Sequence, residues 1–246
     1  MSNPLPPPER KAVFVREMFG RIASRYDLMN CLISLGRDRA WRRFAVAQVM
    51  DSANLPEESR AGRILDVATG TGDLALEALR QGPGHQIVGL DFVPEMLVRA
   101  RQKAIKEQAE LGWLMGDALR IPCADGVFDG VVTGFALRNV TDIPVAFAEM
   151  ARVTRPGGRI ACLEMARPRL PLFRQFFAWY FYRLVPLLGQ WIAGQRSAYT
   201  YLPHSLTAFS SPDEVAEIMR QTGWGQVRYR LLMGGTVAVH VGIRIA

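Results

Sequence analysis

Ile64-Leu-Asp-Val-Ala-Thr-Gly-Thr-Gly-Asp-Leu-Ala-Leu-Glu-Ala-Leu79 changes its periodicity partway along. A β-branched and apolar run ends in Asp66. Gly70 and Gly72 follow, and then Leu74, Ala75, Leu76, Ala78 and Leu79 recur at helical spacing. The pattern predicts a buried strand, a tight glycine turn and a helix. Glycine admits positive φ and a close approach of the backbone to a ligand, and free N–H groups at a helix start attract carboxylate or phosphate.

The segments on either side repeat the alternation. Gln86-Ile-Val-Gly-Leu-Asp91, Trp113-Leu-Met115, Phe128-Asp-Gly-Val-Val-Thr133 and Arg159-Ile-Ala-Cys-Leu-Glu164 read as further strands. Helices are predicted to Arg80, from Pro94 to about Glu110 and over Ile143–Val153, with Arg155-Pro-Gly-Gly158 closing the last. Pro94 suits a first helical turn, and Ser211 with Glu214 forms a capping box for a later helix. Gln226–Leu232 and Thr236–Ile245 read as an antiparallel pair at the sheet edge. The expected fold is α/β, a doubly wound, mostly parallel, seven-stranded sheet with ligands at the C-terminal strand ends.

Residues 12–50 are expected to be helical, with a polar break at Arg25-Tyr-Asp-Leu-Met-Asn30 and a second helix over Arg37–Met50 burying Trp41, Phe44, Ala45 and Val49. Residues 51–62 read as a polar linker, and the proline-rich residues 1–11 as a flexible arm with no apolar core for a signal peptide. Residues 168–203 interrupt the rhythm and are assigned as a helical lid. Its aromatic stretch 170–193 contains Arg174, Arg183 and Pro186, which argues against a membrane span. The whole chain of 246 residues is expected to form one domain.

Three cysteines without metal-like spacing argue against a disulfide framework or a zinc site, and a reducing cytoplasm is the expected setting. No metal is expected. A net charge of +7 is compatible with nucleic acid or an anionic membrane surface. No basic patch interleaved with aromatics supports nucleic acid.

The glycine turn alone does not choose between a dinucleotide and a methyl donor, because Asp66-x-x-x-Gly70-x-Gly72-x-x-Ala75 tolerates both patterns. Asp66 favours a ligand with an amino group over a pyrophosphate. Asp91 ends the second strand 19 residues past Gly72, where an acid accepts hydrogen bonds from a ribose diol in either class. Asp117-Ala118 is placed to meet an adenine amino group.

The order of acid-x-x-x-Gly-x-Gly, ribose acid, Asp-Ala, Phe-Asp strand and Arg-Pro-Gly-Gly turn resembles the class I S-adenosylmethionine methyltransferases. That resemblance implies S-adenosyl-L-methionine as methyl donor, S-adenosyl-L-homocysteine as product, and a cofactor site of Asp66, Thr69, Gly70, Thr71, Gly72, Asp91, Phe92, Asp117, Ala118 and Gly134. Gly134-Phe-Ala-Leu-Arg-Asn139 stands where enzymes methylating a base amino group carry Asn/Asp-Pro-Pro-aromatic. Pro122-Cys123 precedes the fourth strand, too early for a cytosine-methylating nucleophile.

Two stretches are more specific: Tyr26-Asp-Leu-Met-Asn30 with Ser34 and Trp41, and Phe135-Ala-Leu-Arg138-Asn139-Val140 with Asp142. Together with Tyr199-Thr-Tyr-Leu-Pro203 and Thr236-Val-Ala-Val-His240 they are similar to the ubiquinone/menaquinone biosynthesis C-methyltransferase family. The family pattern has His where Asp38 stands, commonly Gly at Ala136, a serine at Gly134 and Glu at His204.

The resemblance implies C-methylation of a lipid-soluble, prenylated quinol, with demethylmenaquinol to menaquinol the expected reaction and a benzoquinol acceptor left open. Arg138 is expected to stabilise phenolate or order a water, since its own pKa excludes it as a base. Asn139, Tyr26 and Asp27 complete the expected catalytic set, with helix capping the alternative for Asp27 and an ion pair the alternative for Arg138. Phe173, Phe176, Phe177, Tyr180, Phe181 and Trp191 would line a tail groove or simply pack a lid. A cytoplasmic protein peripheral to the membrane, and a homodimer, are further expectations. A small-molecule or RNA methyltransferase and a catalytically silent scaffold are the competing assignments.

Overall fold

The computed structural model describes residues 6–50, 62–168, 171–187, 190 and 196–246. Residues 51–61 of the expected 51–62 linker, and Trp191, lie outside the described residues. Three helices, α1 (Lys11–Ile22), α2 (Tyr26–Ile33) and α3 (Asp38–Met50), precede the alternating body. The body runs β1 (Arg63–Val67), α4 (Asp73–Gln81), β2 (Gln86–Asp91), α5 (Pro94–Lys106), β3 (Gly112–Met115), β4 (Phe128–Gly134), α6 (Ile143–Val153) and β5 (Thr154–Met165). Helices α7 (Pro171–Trp179), α8 (Arg196–Thr207) and α9 (Pro212–Gln221) lead to β6 (Trp224–Leu232) and β7 (Val237–Arg244).

The sheet has seven strands in the order β3-β2-β1-β4-β5-β7-β6. Only β7 runs antiparallel, paired with β5 on one side and β6 on the other. The chain switches direction of winding between β1 and β4, which are parallel neighbours. A crevice opens at such a switch beyond the carboxyl ends of the strands. Two non-glycine residues with positive φ stand there, Ala68 after β1 (+55°) and Phe135 after β4 (+58°). Each such conformation costs on the order of 1–3 kcal/mol and persists only where the surroundings impose it.

One core layer packs α6 and α9 on the sheet through Phe147, Met150, Met219 and Trp224. The opposite layer packs α3 and α4 through Val46, Val49, Leu74 and Ala78. A third cluster joins α1 to the segment after α7 and to α8, through Val15, Met18, Ile22, Phe181 and Tyr201. It caps the carboxyl ends of the strands.

Several expected boundaries move. The polar break at 25–30 is instead helix α2, whose polar residues face a cavity and a charged crevice while Met29 alone is fully buried. Helix α5 stops at Lys106 rather than near Glu110, ahead of Gln108 at φ +53°. Arg155-Pro-Gly-Gly158 is a bulge inside β5: Phe128 pairs Thr154 while Gly130 pairs Arg159. Residues 8–11 of the expected arm form a 3₁₀ turn and the start of α1, held where Lys11 Nζ donates to the Val140 carbonyl at 2.6 Å. The lid continues α7 into a π-helical turn, Tyr180–Leu184, with Phe177 and Phe181 stacked at 5.0 Å. Pro94 and the Ser211–Glu214 capping box stand as the sequence predicts.

Candidate active site

Two cavities meet over the switch point. The first is lined by Ala68, Gly70, Asp91, Phe92, Asp117 and Gly134, among others. Among the described residues no lysine or arginine lines it, and Asp91 and Asp117 do. Such a lining repels a pyrophosphate and suits a cationic ligand carrying hydroxyl and amino donors. Asp91 Oδ2 accepts the Gly70 N–H at 2.8 Å and Oδ1 the Val93 N–H at 2.9 Å. The Phe92 N–H bonds to the carboxylate as well, and of its roughly four acceptor sites one is left for a further donor such as a ribose hydroxyl. Burial pushes the Asp91 carboxyl up to about 6. Gly70 has φ +56° and its missing Cβ would have nothing nearer than Tyr26 Cε1 at 3.9 Å, so the backbone presents an open wall to a ligand.

Other residues expected at this site support the turn from behind. Asp66 is fully buried; its Oδ2 accepts from Thr69 Oγ1 at 2.6 Å and from the Ala75 N–H at 3.0 Å. It staples the glycine turn to the helix start, and desolvation raises its carboxyl to about 7. Thr69, Thr71, Gly72 and Ala118 also lie off the cleft surface. Ala118 is in the core. At Gly72, φ is +83° and a Cβ would lie 3.0 Å from Trp113, so the turn closes only with glycine.

The second cavity is largely apolar and contains about 1270 Å³ of empty space, its open mouth included. Arg138, Asn139 and Tyr26 line it. Phe173, Phe176, Phe177, Tyr180 and Phe181 supply the wall expected of a tail groove. Phe19, Tyr26, Phe135 and Asn139 line both cavities, so a molecule in one is in reach of a molecule in the other. At the outer end Leu35, Phe176 and Met233 are exposed.

Arg138 is buried and its Nη1 lies 3.0 Å from Glu164 Oε2. Glu164, at the end of β5, also accepts the Leu137 N–H at 2.8 Å and the Met165 N–H at 3.2 Å. Burial still holds its carboxyl above the ordinary glutamate value, Arg138 opposing the shift. The guanidinium carbon sits 5.9 Å from the centroid of Phe135. The ion-pair alternative and the cavity-lining expectation for Arg138 therefore both apply. Tyr201 donates to Asn139 Oδ1 at 3.3 Å. Burial keeps the Tyr26 hydroxyl above its usual range, so it stays protonated.

Asp27 does not join this set. It turns away to a charged crevice, accepts from Thr71 Oγ1 and pairs with Lys103 Nζ at 2.6 Å. One turn of α2 separates Tyr26 from Asn30 and puts both toward the cavity; Asp27, one residue on, faces elsewhere. The sequence left Glu164, Arg42 and Phe19 unassigned. An acid closing a buried apolar strand was the available signal for Glu164; it implies a buried partner.

The strand order, with β7 antiparallel between β5 and β6 and the glycine turn after β1, defines a class I methyltransferase fold. A solved SAM-dependent methyltransferase from Thermotoga maritima, described as a possible histamine N-methyltransferase, shares it with a TM-score of 0.61 at 17% identity over 93% of this chain and 99% of that one. Residues 8–244 match the ubiE/COQ5 methyltransferase family, and the chain belongs to it. It is similar to the demethylmenaquinone methyltransferase of Roseiflexus castenholzii, 48% identical over 99% of this chain and 98% of that protein. It is also similar to the ubiquinone/menaquinone biosynthesis C-methyltransferase UbiE of Geobacter sp. strain M21, 43% identical over 94% and 96%. The chain is an S-adenosylmethionine-dependent C-methyltransferase.

Proposed function

We propose that this methyltransferase acts in quinone biosynthesis and methylates a ring carbon of a prenylated quinol, with demethylmenaquinol the acceptor. The observation that carries this is the junction of an acid-lined cleft with a large apolar cavity at Phe19, Tyr26, Phe135 and Asn139. The relatives' names support the same acceptor class. S-adenosylmethionine supplies an electrophilic methyl group on a sulfonium. The cleft fits it: Asp91 would hold the ribose diol, Gly70 and Ala68 the backbone wall, and Asp117 the adenine end.

The chain's own groups then act on the acceptor. A quinol carbon becomes nucleophilic when the adjacent hydroxyl is ionised. The buried cation of Arg138 lowers the cost of that phenolate far more than it would in water. Glu164 holds the guanidinium in place. Asn139, fixed by the Tyr201 hydroxyl, orients the ring. A guanidinium is no proton acceptor, so the ring proton leaves to a water that Arg138 orders. Phe19 and Tyr26 close the junction and keep bulk water from the reacting carbon.

The mouth of the apolar cavity also fits a lipid source. Leu172 is 83% exposed, Phe176 60%, Trp179 58% and Leu35 70%. Among the described residues no helix is long and apolar enough to cross a membrane. These side chains with exposed Arg174 and Arg183 form an interfacial patch, and the protein works as a peripheral partner of an anionic membrane on its cytoplasmic side.

The test is to incubate the full chain with methyl-labelled S-adenosylmethionine and chemically reduced quinols carrying short prenyl tails, naphthalene and benzene rings in parallel. Label on the ring of the naphthoquinol is expected. Label on neither ring overturns the proposal, and label on the benzoquinol alone changes the acceptor.

A further inference from the structure

Asp38 is a buried carboxylate in the wall of the apolar cavity. It begins α3, directly after the turn from α2. Ser34 Oγ donates to its Oδ1 at 2.9 Å, and Arg42 Nη1 donates to its Oδ2. Arg42 also reaches Asp73 at 3.2 Å. An apolar cavity is a costly place for a carboxylate unless it is paired, and Arg42 meets that requirement. Pairing does not exhaust it. Each carboxylate oxygen accepts about two hydrogen bonds, and the structure fills one on each.

This makes a second polar cluster in the cavity that holds Arg138 and Asn139. Tyr26, Asp38, Arg42, Arg138 and Asn139 all line this one cavity, so an acceptor seated in it meets both clusters. A dihydric ring has two hydroxyls on opposite sides. One must ionise beside the carbon to be methylated. The other has a hydrogen to donate, and a buried hydroxyl without a partner costs free energy.

We propose that Asp38 is a specificity residue for the acceptor: its carboxylate accepts the hydrogen of the ring's second hydroxyl, across from the oxygen that Arg138 meets, and so selects the ring carbon presented to the methyl donor. The inference rests on the quinol assignment above and deepens it. Arg42 is the positioning residue. With Ser34 it fixes the Asp38 carboxylate in the cavity wall.

The test compares two acceptors, the quinol and the analogue in which the second hydroxyl is replaced by hydrogen. The protein is used as wild type, Asp38→Asn and Asp38→Ala. The measurements are kcat/KM for each acceptor, S-adenosylhomocysteine affinity by calorimetry, and Tm. Wild type is expected to favour the quinol by about 10- to 100-fold, the range of one hydrogen bond to a charged group. Asp38→Ala should lose that factor on the quinol and little on the analogue, so that the preference falls toward unity, with donor affinity unchanged. If Asp38→Ala does not fold, the same ratio is read on Asp38→Asn, whose amide keeps the shape and weakens the acceptor. Equal losses on both acceptors would mean packing alone and overturn the inference, as would no loss on either. A wild type that methylates no quinol overturns the acceptor assignment itself, which is a separate result.

Discussion

Replacing Arg138 by methionine separates the two jobs of that residue. The ion pair with Glu164 is buried on both sides, with side-chain exposures of 5% and 1%. Solvent therefore screens it little. Removing the cation leaves a buried carboxylate without its counter-charge, a change worth about 3–5 kcal/mol. The Leu137 and Met165 N–H groups still reach Glu164, which puts the expectation at the lower end, about 3 kcal/mol. For a chain of 246 residues that is a fall of roughly 10 °C in Tm. Methionine preserves most of the volume, so a cavity adds little. The loss also depends on pH. Glu164 already titrates above the ordinary value in the fold, and without Arg138 it rises further. A group with a raised folded-state pKa contributes its stability at low pH and loses it as pH rises, so Arg138→Met should be worse at pH 8 than at pH 5. Adding Glu164→Gln to the variant should restore most of the Tm and abolish that pH dependence. Turnover should stay at least about 100-fold down in both, because the phenolate has lost its cation. Thermal unfolding across pH and a methyl-transfer assay check this. Equal Tm for the single and double variants, or recovered turnover in the double, would refute the division of roles.

Gly70→Val puts a β-branched side chain at φ +56° on the wall of the donor cleft; S-adenosylhomocysteine binding by calorimetry should be lost, and retained affinity would remove this turn from the site. Asp66→Asn removes a carboxyl held at about 7 against 3.8. Wild type, in which the folded state resists ionisation, should lose stability relative to the variant as pH rises from 4 to 7, at up to about 1.4 kcal/mol per unit; parallel stability curves would mean Asp66 ionises freely. Leu172→Ser with Trp179→Ser removes two exposed apolar side chains of the interfacial patch that do not line the acceptor cavity and should sharply weaken co-sedimentation with anionic vesicles, with activity on a short-tailed quinol in detergent retained. Unchanged vesicle binding would place the membrane contact elsewhere.

The strands and the glycine turn were legible in the residues, because apolar runs of strand length and the spacing from Asp66 to Gly72 are set by neighbours along the chain. The methyl donor class came from five motifs in order and their resemblance to a known class, since neither the turn nor the acid ending β2 chooses it alone. Tyr26, Arg138 and Asn139 were also legible, through two short stretches with family resemblance. The direction in which side chains point was not. Asp27 sits beside Tyr26 in sequence and turns to Lys103 instead, because α2 is helical where the polar composition suggested a break. Asp66 ends its strand as the sequence predicts, but that its Oδ2 would brace the turn through Thr69 and the Ala75 N–H, leaving Oδ1 without a partner, emerges only from the fold. Glu164 lies 26 residues from Arg138, and only the parallel pairing of β4 with β5 brings the two together. Asp38 read as a departure from a pattern and became part of a cavity wall once α3 was packed against β5. Charge pairing and burial are decided between elements distant in the chain, and the sequence carries no record of which carboxylate will meet which guanidinium until the sheet order places them side by side.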